Sequence, residues 1–313
     1  MLGKTANGLY WMYRYIERAG SLARLIETGQ RISLTRTDTG SNEWHSVLES
    51  AGALHGFMSQ HEEVTQEAAL DWLLRSTENS SSVLCCLSAA RHNARIVRTA
   101  LTPDVWEAIN GFYIDIKKRL ARKVSDRDLP ALLDMLHQKT ALVAGATNST
   151  MLRNDLYDFT QLGTFVERGD NTARILDVKY YVLLPSVVSV GSSIDNVQWE
   201  TILRSLSAHG GFRMQHGNTF TAREITDFLV LDRRMPRSLA FCAAKLCERL
   251  EFLSAEYSTF PKSLGLVREI TDYYSRHSID EVFEAGLHEH LQWIIGFFAQ
   301  LSRQIEIDFR FYE

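Results

Sequence analysis

The sequence predicts an all-α fold, a single large helical bundle built from two duplicated multi-helix halves. Three observations carry this expectation. Apolar residues recur at helical spacing along nearly the whole chain. Only 5 prolines in 313 residues leave long stretches uninterrupted. Four segments of the first half recur, in order, in the second. No stretch reads as a sheet.

The first segment shows the pattern best. Leu9, Met12, Ile16, Ala19, Ala23 and Ile26 form the apolar seam of an amphipathic helix. Leu162, Val166, Gly169, Ala173, Leu176 and Tyr180 keep the same rhythm in the second half. Small residues at 19, 23, 169 and 173 allow close helix approach. Glu17-Arg18 matches Glu167-Arg168 at a separation of 150 residues. Three further matches follow at 155 to 156: Glu43–Leu48 with Gln198–Leu203, Thr65–Leu74 with Thr221–Val230, and Ser82–Ala90 with Ser238–Leu246. The shift arises where residues 185–196 lengthen the second linker. The halves run approximately 1–150 and 151–313, joined near 146–150 by a connection without linker composition.

Six helices are expected per half. In the first they cover roughly 7–33, 44–59, 64–76, 82–101, 103–124 and 128–146. In the second they cover 151–182, 197–209, 221–232, 237–259, 263–276 and 279–308. Boundaries carry chemical signatures. Thr102-Pro103-Asp104 combines an N-cap, a proline at the first helical position and an acid in the first turn. Thr221 with Glu224, and Ser278 with Glu281, have capping-box spacing.

Composition bounds the function. With 34 basic and 38 acidic residues the formal charge is −4, so no global basic field recruits nucleic acid or an anionic membrane. No apolar run approaches the ~18 residues that cross a bilayer, and the polar opening is not a secretion signal. The 4 cysteines, Cys85, Cys86, Cys242 and Cys247, sit in apolar-periodic segments without C-x-x-C spacing. They read as reduced, buried thiols of a cytoplasmic protein.

Beside each seam runs a polar stripe: Tyr13, Glu17, Gly20, Arg24 and Glu27 in the first helix, Gly163, Glu167, Asp170, Arg174 and Asp177 in the second. Consecutive residues on a helix point ~100° apart. Glu17 therefore does not neutralise Arg18, and Arg18 and Arg168 need partners on another helix. One reading is an ion network locking the halves together. Another is a polar site in which Glu17 or Glu167 acts as general base while Arg18, Arg24, Arg168, Asp170 and Arg174 bind an anionic substrate. Plain surface charge is a third. Arg91, Arg95 and Arg98 share one helix face, solvated, paired with the acidic stripe, or forming an anion site that merges with the first.

Other motifs are weak. Gly3-Lys4-Thr5 resembles the end of a P-loop but lacks the upstream glycine and strand. His288 and His290 lack zinc-helix spacing. His209 and His216 flank a glycine-bearing loop with no carboxylate at ligand spacing. Neither a Rossmann fingerprint nor a nucleophile elbow occurs, and no metal or cofactor is expected.

The opening Leu2–Glu27, together with Ser88–Asn110, Leu162–Tyr181, Gln198–Arg213 and Leu231–Cys242, resembles the bacterial alpha-E family. The resemblance covers essentially the whole chain. Its Glu-Arg motifs fall on Glu17, Arg18, Glu167 and Arg168, and its Asn-Ala-Arg-x-x-Arg stretch on Asn93, Arg95 and Arg98. Thr164, Gly169 and His92 depart from the pattern. The resemblance implies an all-helical protein encoded beside a circularly permuted ATP-grasp protein and a transglutaminase-like protein. The implied role is that of an accessory partner in a peptide-ligating or peptide-modifying system. An enzyme in its own right, acting on a peptide or amino-acid substrate, is the alternative.

Overall fold

The computed structural model describes residues 3–33, 42–183, 193–217 and 220–312. They form fifteen α-helices and one 3-10 turn, with no strand among the described residues. The Tyr180 side chain of the second seam, and residues 185–192 of the expected linker, lie outside the described residues.

Two long helices organise the rest: α1 (Gly3–Ser33) and α8 (Asp155–Leu183). They pack along each other. The shorter helices before α8 are α2 (Asn42–Ser50), α3 (Leu54–Met58), α4 (Gln66–Leu74), α5 (Val83–Ile96), α6 (Pro103–Arg119) and α7 (Leu129–Thr150). After it come α9 (Ser193–Ser205), α10 (His209–His216), α11 (Ala222–Val230), α12 (Leu239–Glu256), α13 (Lys262–Arg276), α14 (Ile279–Ala285) and α15 (Leu287–Asp308). Helix α1 is sheathed chiefly by α5, α7, α8 and α9 with α2 beside them, whereas α8 is sheathed chiefly by α1, α2, α12 and α15 with α9 beside them.

Enclosure changes the meaning of the periodicity. The expected seam of α1 is buried, but so are Tyr13, Arg14, Glu17, Ser21, Arg24 and Thr28 on its other faces. A helix buried all round is central, not amphipathic at a surface. Close approach needs small residues, and the structure supplies them. A Cβ on Gly163 would overlap the Tyr10 carbonyl oxygen, and one on Gly169 would enter the Phe298 ring.

Helix starts follow the side-chain chemistry. Thr65, Ser82, Thr102, Thr221 and Ser238 each accept a bond from the backbone N–H three residues on. The Ser278–Glu281 box is complete. At Thr221 the Glu224 carboxylate instead accepts the threonine hydroxyl, at 2.8 Å.

Several boundaries differ from expectation, mostly through glycine. The helix expected over 44–59 is split into α2 and α3 at Gly52, whose φ of 65° lies in the left-handed region. Gly286, at φ 96°, likewise divides the expected 279–308 helix into α14 and α15. The segment expected as a loop between His209 and His216 is the helix α10, ended by Gly217 at φ 75°. Helix α5 stops at Ile96 and continues as a 3-10 turn over Arg98–Ala100. The expected connection at 146–150 lies inside the last turns of α7, and residues 151–154 make the turn into α8. Gly3-Lys4-Thr5 is the first turn of α1, not a phosphate loop.

The α1–α8 contact makes a paired prediction. Gly163→Ala should destabilise the protein by ~1–3 kcal/mol, because the helices must separate to admit a methyl. Gly145→Ala, in α7 with nothing within 4 Å of a new Cβ, should stabilise it by up to ~1 kcal/mol. Urea unfolding midpoints of the two variants test this; equal midpoints would mean the α1–α8 approach is not tight.

Candidate functional site

Because α1 and α8 are both enclosed, their polar stripes meet inside the bundle, where every charge needs a partner. The two Glu-Arg pairs supply them by exchange. Arg18 of α1 grips Glu167 of α8 with two bonds, Nε to Oε1 at 2.6 Å and Nη2 to Oε2 at 3.0 Å. Arg168 of α8 grips Glu17 of α1 the same way, at 3.1 Å and 3.2 Å. Each is a two-point guanidinium–carboxylate fork.

Each carboxylate also takes a second guanidinium, from different places. Arg14 Nε donates to Glu167 at 2.7 Å, and its Nη1 donates to Ser302 of α15 at 2.6 Å. Arg237, in the turn before α12, donates to Glu17 at 3.0 Å. Neither arginine stands out in the sequence as a member of the site. Arg14 lies in the Tyr-Arg-Tyr-Ile-Glu-Arg run, one turn before Arg18, and that spacing is the signal that could have found it. Arg237 carries no such signal, since it arrives through tertiary packing.

These contacts decide the protonation of both glutamates. Burial alone raises a carboxyl pKa, but Arg168 and Arg237 override it at Glu17, which ionises well below the ordinary carboxylate range. At Glu167 burial is likewise outweighed by Arg18 and Arg14, which lower the pKa to about 2. Cys86 and Cys242 lie within the field of Arg18 and Arg168 respectively, yet burial dominates and pushes both thiols up to about 12.

The α8 side of the network opens into a cavity of about 210 Å³ between α1, α8 and the α2–α3 turn. Arg18, Glu167, Asp170 and Arg174 line it, together with Ser21, Ser50 and Ser81. Arg174 is held by Asp170 one turn earlier, Nε to Oδ2 at 2.8 Å. The corresponding place on α1 differs: Gly20 stands one turn before Arg24, so Arg24 Nη1 donates to the Gly20 carbonyl at 3.0 Å instead. Arg24 Nε is buried without a partner. Burial and the nearby Arg237 charge lower the Arg24 pKa to about 9.

The Arg91, Arg95 and Arg98 face does not join this site. Helix α5 packs on α1 through Val83, Cys86, Leu87, Ala90 and Ala94, which turns the arginines away. Arg91 donates to Asn110 at 2.7 Å and lies over Tyr113, and Arg98 lies over Trp106. Arg95 is exposed. The expected merging with the acidic stripe fails because Arg91 and Arg95 are on the opposite face of α5 and Arg98 lies beyond its end.

The histidines are also separate. His288 pairs with Asp177 at 2.7 Å, whereas His290 is buried beside Tyr274, where desolvation lowers its pKa to about 4. His209 reaches Glu200 at 3.0 Å, a carboxylate the chain spacing does not reveal. Among the described residues, no three His, Cys, Asp or Glu side chains converge in a way that could hold a metal ion. No helix among them is long and apolar enough to cross a membrane.

Removing one member of a buried ion pair strands its partner, so Glu17→Gln and Glu167→Gln should each cost ~3–5 kcal/mol in urea unfolding. Acid should act through the same groups. Both glutamates ionise at lower pH folded than unfolded, so the unfolded chain takes up protons first as the pH falls. Their contribution is complete above the ordinary value of 4.5 and drains as the pH drops toward about 2. Unfolding midpoints measured from pH 7 to pH 2 should fall below pH 4.5, and less steeply in the two variants. A wild-type midpoint flat across that range would contradict the clamp.

The Alpha-E family model, described as a predicted alpha-helical domain with a conserved ER motif, matches residues 1–309. Among known proteins, an uncharacterized protein of Mycobacterium bovis is 23% identical over 95% of this chain. Uncharacterized proteins of two Mycobacterium tuberculosis strains are 23% and 22% identical over the same share. The chain spans about a third of the length of these relatives, 35% in each case. No solved structure matches it. With a match over nearly its full length and two Glu-Arg motifs exchanged at the centre of an all-helical bundle, the chain belongs to the Alpha-E family.

Proposed function

We propose that this chain is a cytoplasmic helical accessory partner of an ATP-grasp-type ligase in a peptide-ligating or peptide-modifying system. Its partners would be a circularly permuted ATP-grasp protein and a transglutaminase-like protein. The observation that carries this reading is the state of the two glutamates. A general base needs a pKa near the working pH and a free lone pair facing substrate. Glu17 and Glu167 ionise far below that range, and both oxygens of each accept guanidinium bonds. The motif that names the family thus serves as an internal clamp. The span of the relatives adds support, since a module occupying 35% of a longer polypeptide is suited to work beside other domains.

The same reading includes the two halves as copies of one ancestral unit. The reciprocal forks support it, as does the exchange of sheaths: α5 and α7 on α1 answer to α12 and α15 on α8, and α9 on α1 answers to α2 on α8. A second reading, an enzyme using the Glu/Arg site on a peptide or amino-acid substrate, draws on the 210 Å³ cavity beside Arg18 and Arg174.

Mixing the purified protein with its genomic ATP-grasp neighbour should give a complex with Kd of order 1 μM or tighter and altered ATP turnover by the ligase. Sedimentation velocity and a phosphate-release assay measure the two. Absence of a complex at ~10 μM of each, with catalytic turnover of a peptide by this chain alone, would favour the second reading.

A further inference from the structure

We propose that the cavity between α1, α8 and the α2–α3 turn is a binding site for a carboxylate of amino-acid size. Its carboxylate would rest on Arg18 and Arg174, and its neighbouring N–H would donate to Asp170. The inference stands apart from the ligase reading, because it concerns this chain alone.

Four observations converge on it. The first is charge. Arg14, Arg18, Arg24, Arg168, Arg174 and Arg237 surround Glu17, Glu167 and Asp170, six guanidiniums to three carboxylates, and of these Arg18, Arg174, Glu167 and Asp170 line the cavity itself. Two further carboxylates whose field reaches the cluster are already engaged, Glu27 by Arg31 and Asp177 by His288 and Gln292. Surplus buried cations are costly unless an anion joins them.

The second observation is unmet hydrogen-bonding capacity in residues of the cavity lining. Ser21 and Ser50 are 2% and 5% exposed, line the cavity, and have hydroxyls with no partner. Buried hydroxyls normally find one, and two orphans in one cavity lining mark where a polar ligand completes the set. The third is the arginines themselves. Arg174 uses Nε on Asp170 and Nη1 on the Ser50 carbonyl, leaving Nη2 free, and Arg18 Nη1 reaches no further than Ser81 at 3.4 Å. Asp170 accepts at Oδ2, leaving Oδ1 for a ligand N–H.

The fourth observation is size and lining. About 210 Å³ holds several heavy atoms, more than a halide or a single water needs. Leu22, Leu25, Ala51 and Ile175 add aliphatic surface to the lining. Carboxylate recognition, one acceptor for N–H and a small apolar surface together describe an amino acid or the C-terminal residue of a peptide. Phosphate matches less well, since it offers nothing to Asp170 or the aliphatic surface.

Isothermal titration with L-alanine, the dipeptide Ala-Ala, Ala-Ala amide and inorganic phosphate tests the site at low ionic strength. L-Alanine or Ala-Ala should bind and raise the melting temperature, and the amide should not. Binding of L-alanine without Ala-Ala identifies a free amino acid as the source, and the reverse a peptide terminus. Arg174→Gln should weaken binding by about tenfold or more, as expected for a lost charge-assisted bond. The Ser21→Ala, Ser50→Ala double variant should melt no lower than wild type without ligand, because it removes unmet hydroxyls, yet bind more weakly. The proposal fails if neither carboxylate binds at ~10 mM, if the amide binds equally well, if phosphate alone binds, or if Arg174→Gln leaves affinity unchanged.

Discussion

Two carboxylates at the centre of a helical bundle impose the constraint on which the rest of the molecule depends. Neither Glu17 nor Glu167 can be neutralised by the arginine next to it, because consecutive side chains leave a helix about 100° apart. Each must be met from the facing helix, and that requires α1 and α8 to lie side by side in one register. The forks at Arg18–Glu167 and Arg168–Glu17 are separated by a single residue on each helix, so sliding one helix by a turn would break both. Such a buried network adds little net stability relative to an apolar core, but it strongly penalises every misaligned alternative. Its contribution here is therefore register more than stability, and the glycine at 163 lets the two backbones come close enough for the forks to close.

The exchange is reciprocal, but its surroundings are not. Glu167 draws its second guanidinium from Arg14 on the same helix as Arg18, whereas Glu17 draws it from Arg237, far along the chain. Thr164 stands one turn before Arg168, where Arg14 stands before Arg18; this substitution accounts for the need for Arg237. One turn beyond, Asp170 holds Arg174 while Gly20 offers Arg24 only a carbonyl. The aspartate keeps Arg174 oriented along the cavity wall, and the glycine lets Thr140 fill the matching space on the other side. Small differences between two similar helices thus leave a cavity of about 210 Å³ beside one fork and only about 50 Å³ beside the other.

Much of the fold was legible in the sequence because it rests on local chemistry. The caps at Thr102, Thr221 and Ser278, the apolar seam of α1 and the absence of strands among the described residues all follow from residues near one another in the chain. What was illegible depends on the third dimension. Periodicity marks one apolar face but cannot reveal that neighbouring helices enclose α1 and bury its polar faces as well. Gly52 and Gly286 look like tolerable interior glycines until their positive φ shows a break. The Glu-Arg partners were expected on another helix, and the stripe residues do meet there, yet Arg237 could not be placed without the packing of α12 against α8. Arg91 and Arg95 lie one turn apart on α5, whereas Arg98 falls in the 3-10 turn beyond its end. Which face α5 turns toward α1 is set by Val83, Cys86, Leu87 and Ala90, and those outvote the charges.

The clamp and the cavity are physically linked. A binding site works best when its polar groups are held before the ligand arrives, since ordering long side chains on binding costs affinity. Arg18 is fixed by the same fork that sets the register of α1 and α8, so holding the bundle together and preorganising the cavity are one act. Linkage then runs both ways: a ligand that binds the folded cavity stabilises the fold in proportion to its occupancy. It does so most by relieving the excess of guanidiniums over carboxylates around the two glutamates. Glu17 and Glu167 are the counter-charges that hold Arg14, Arg18, Arg168 and Arg237 in place.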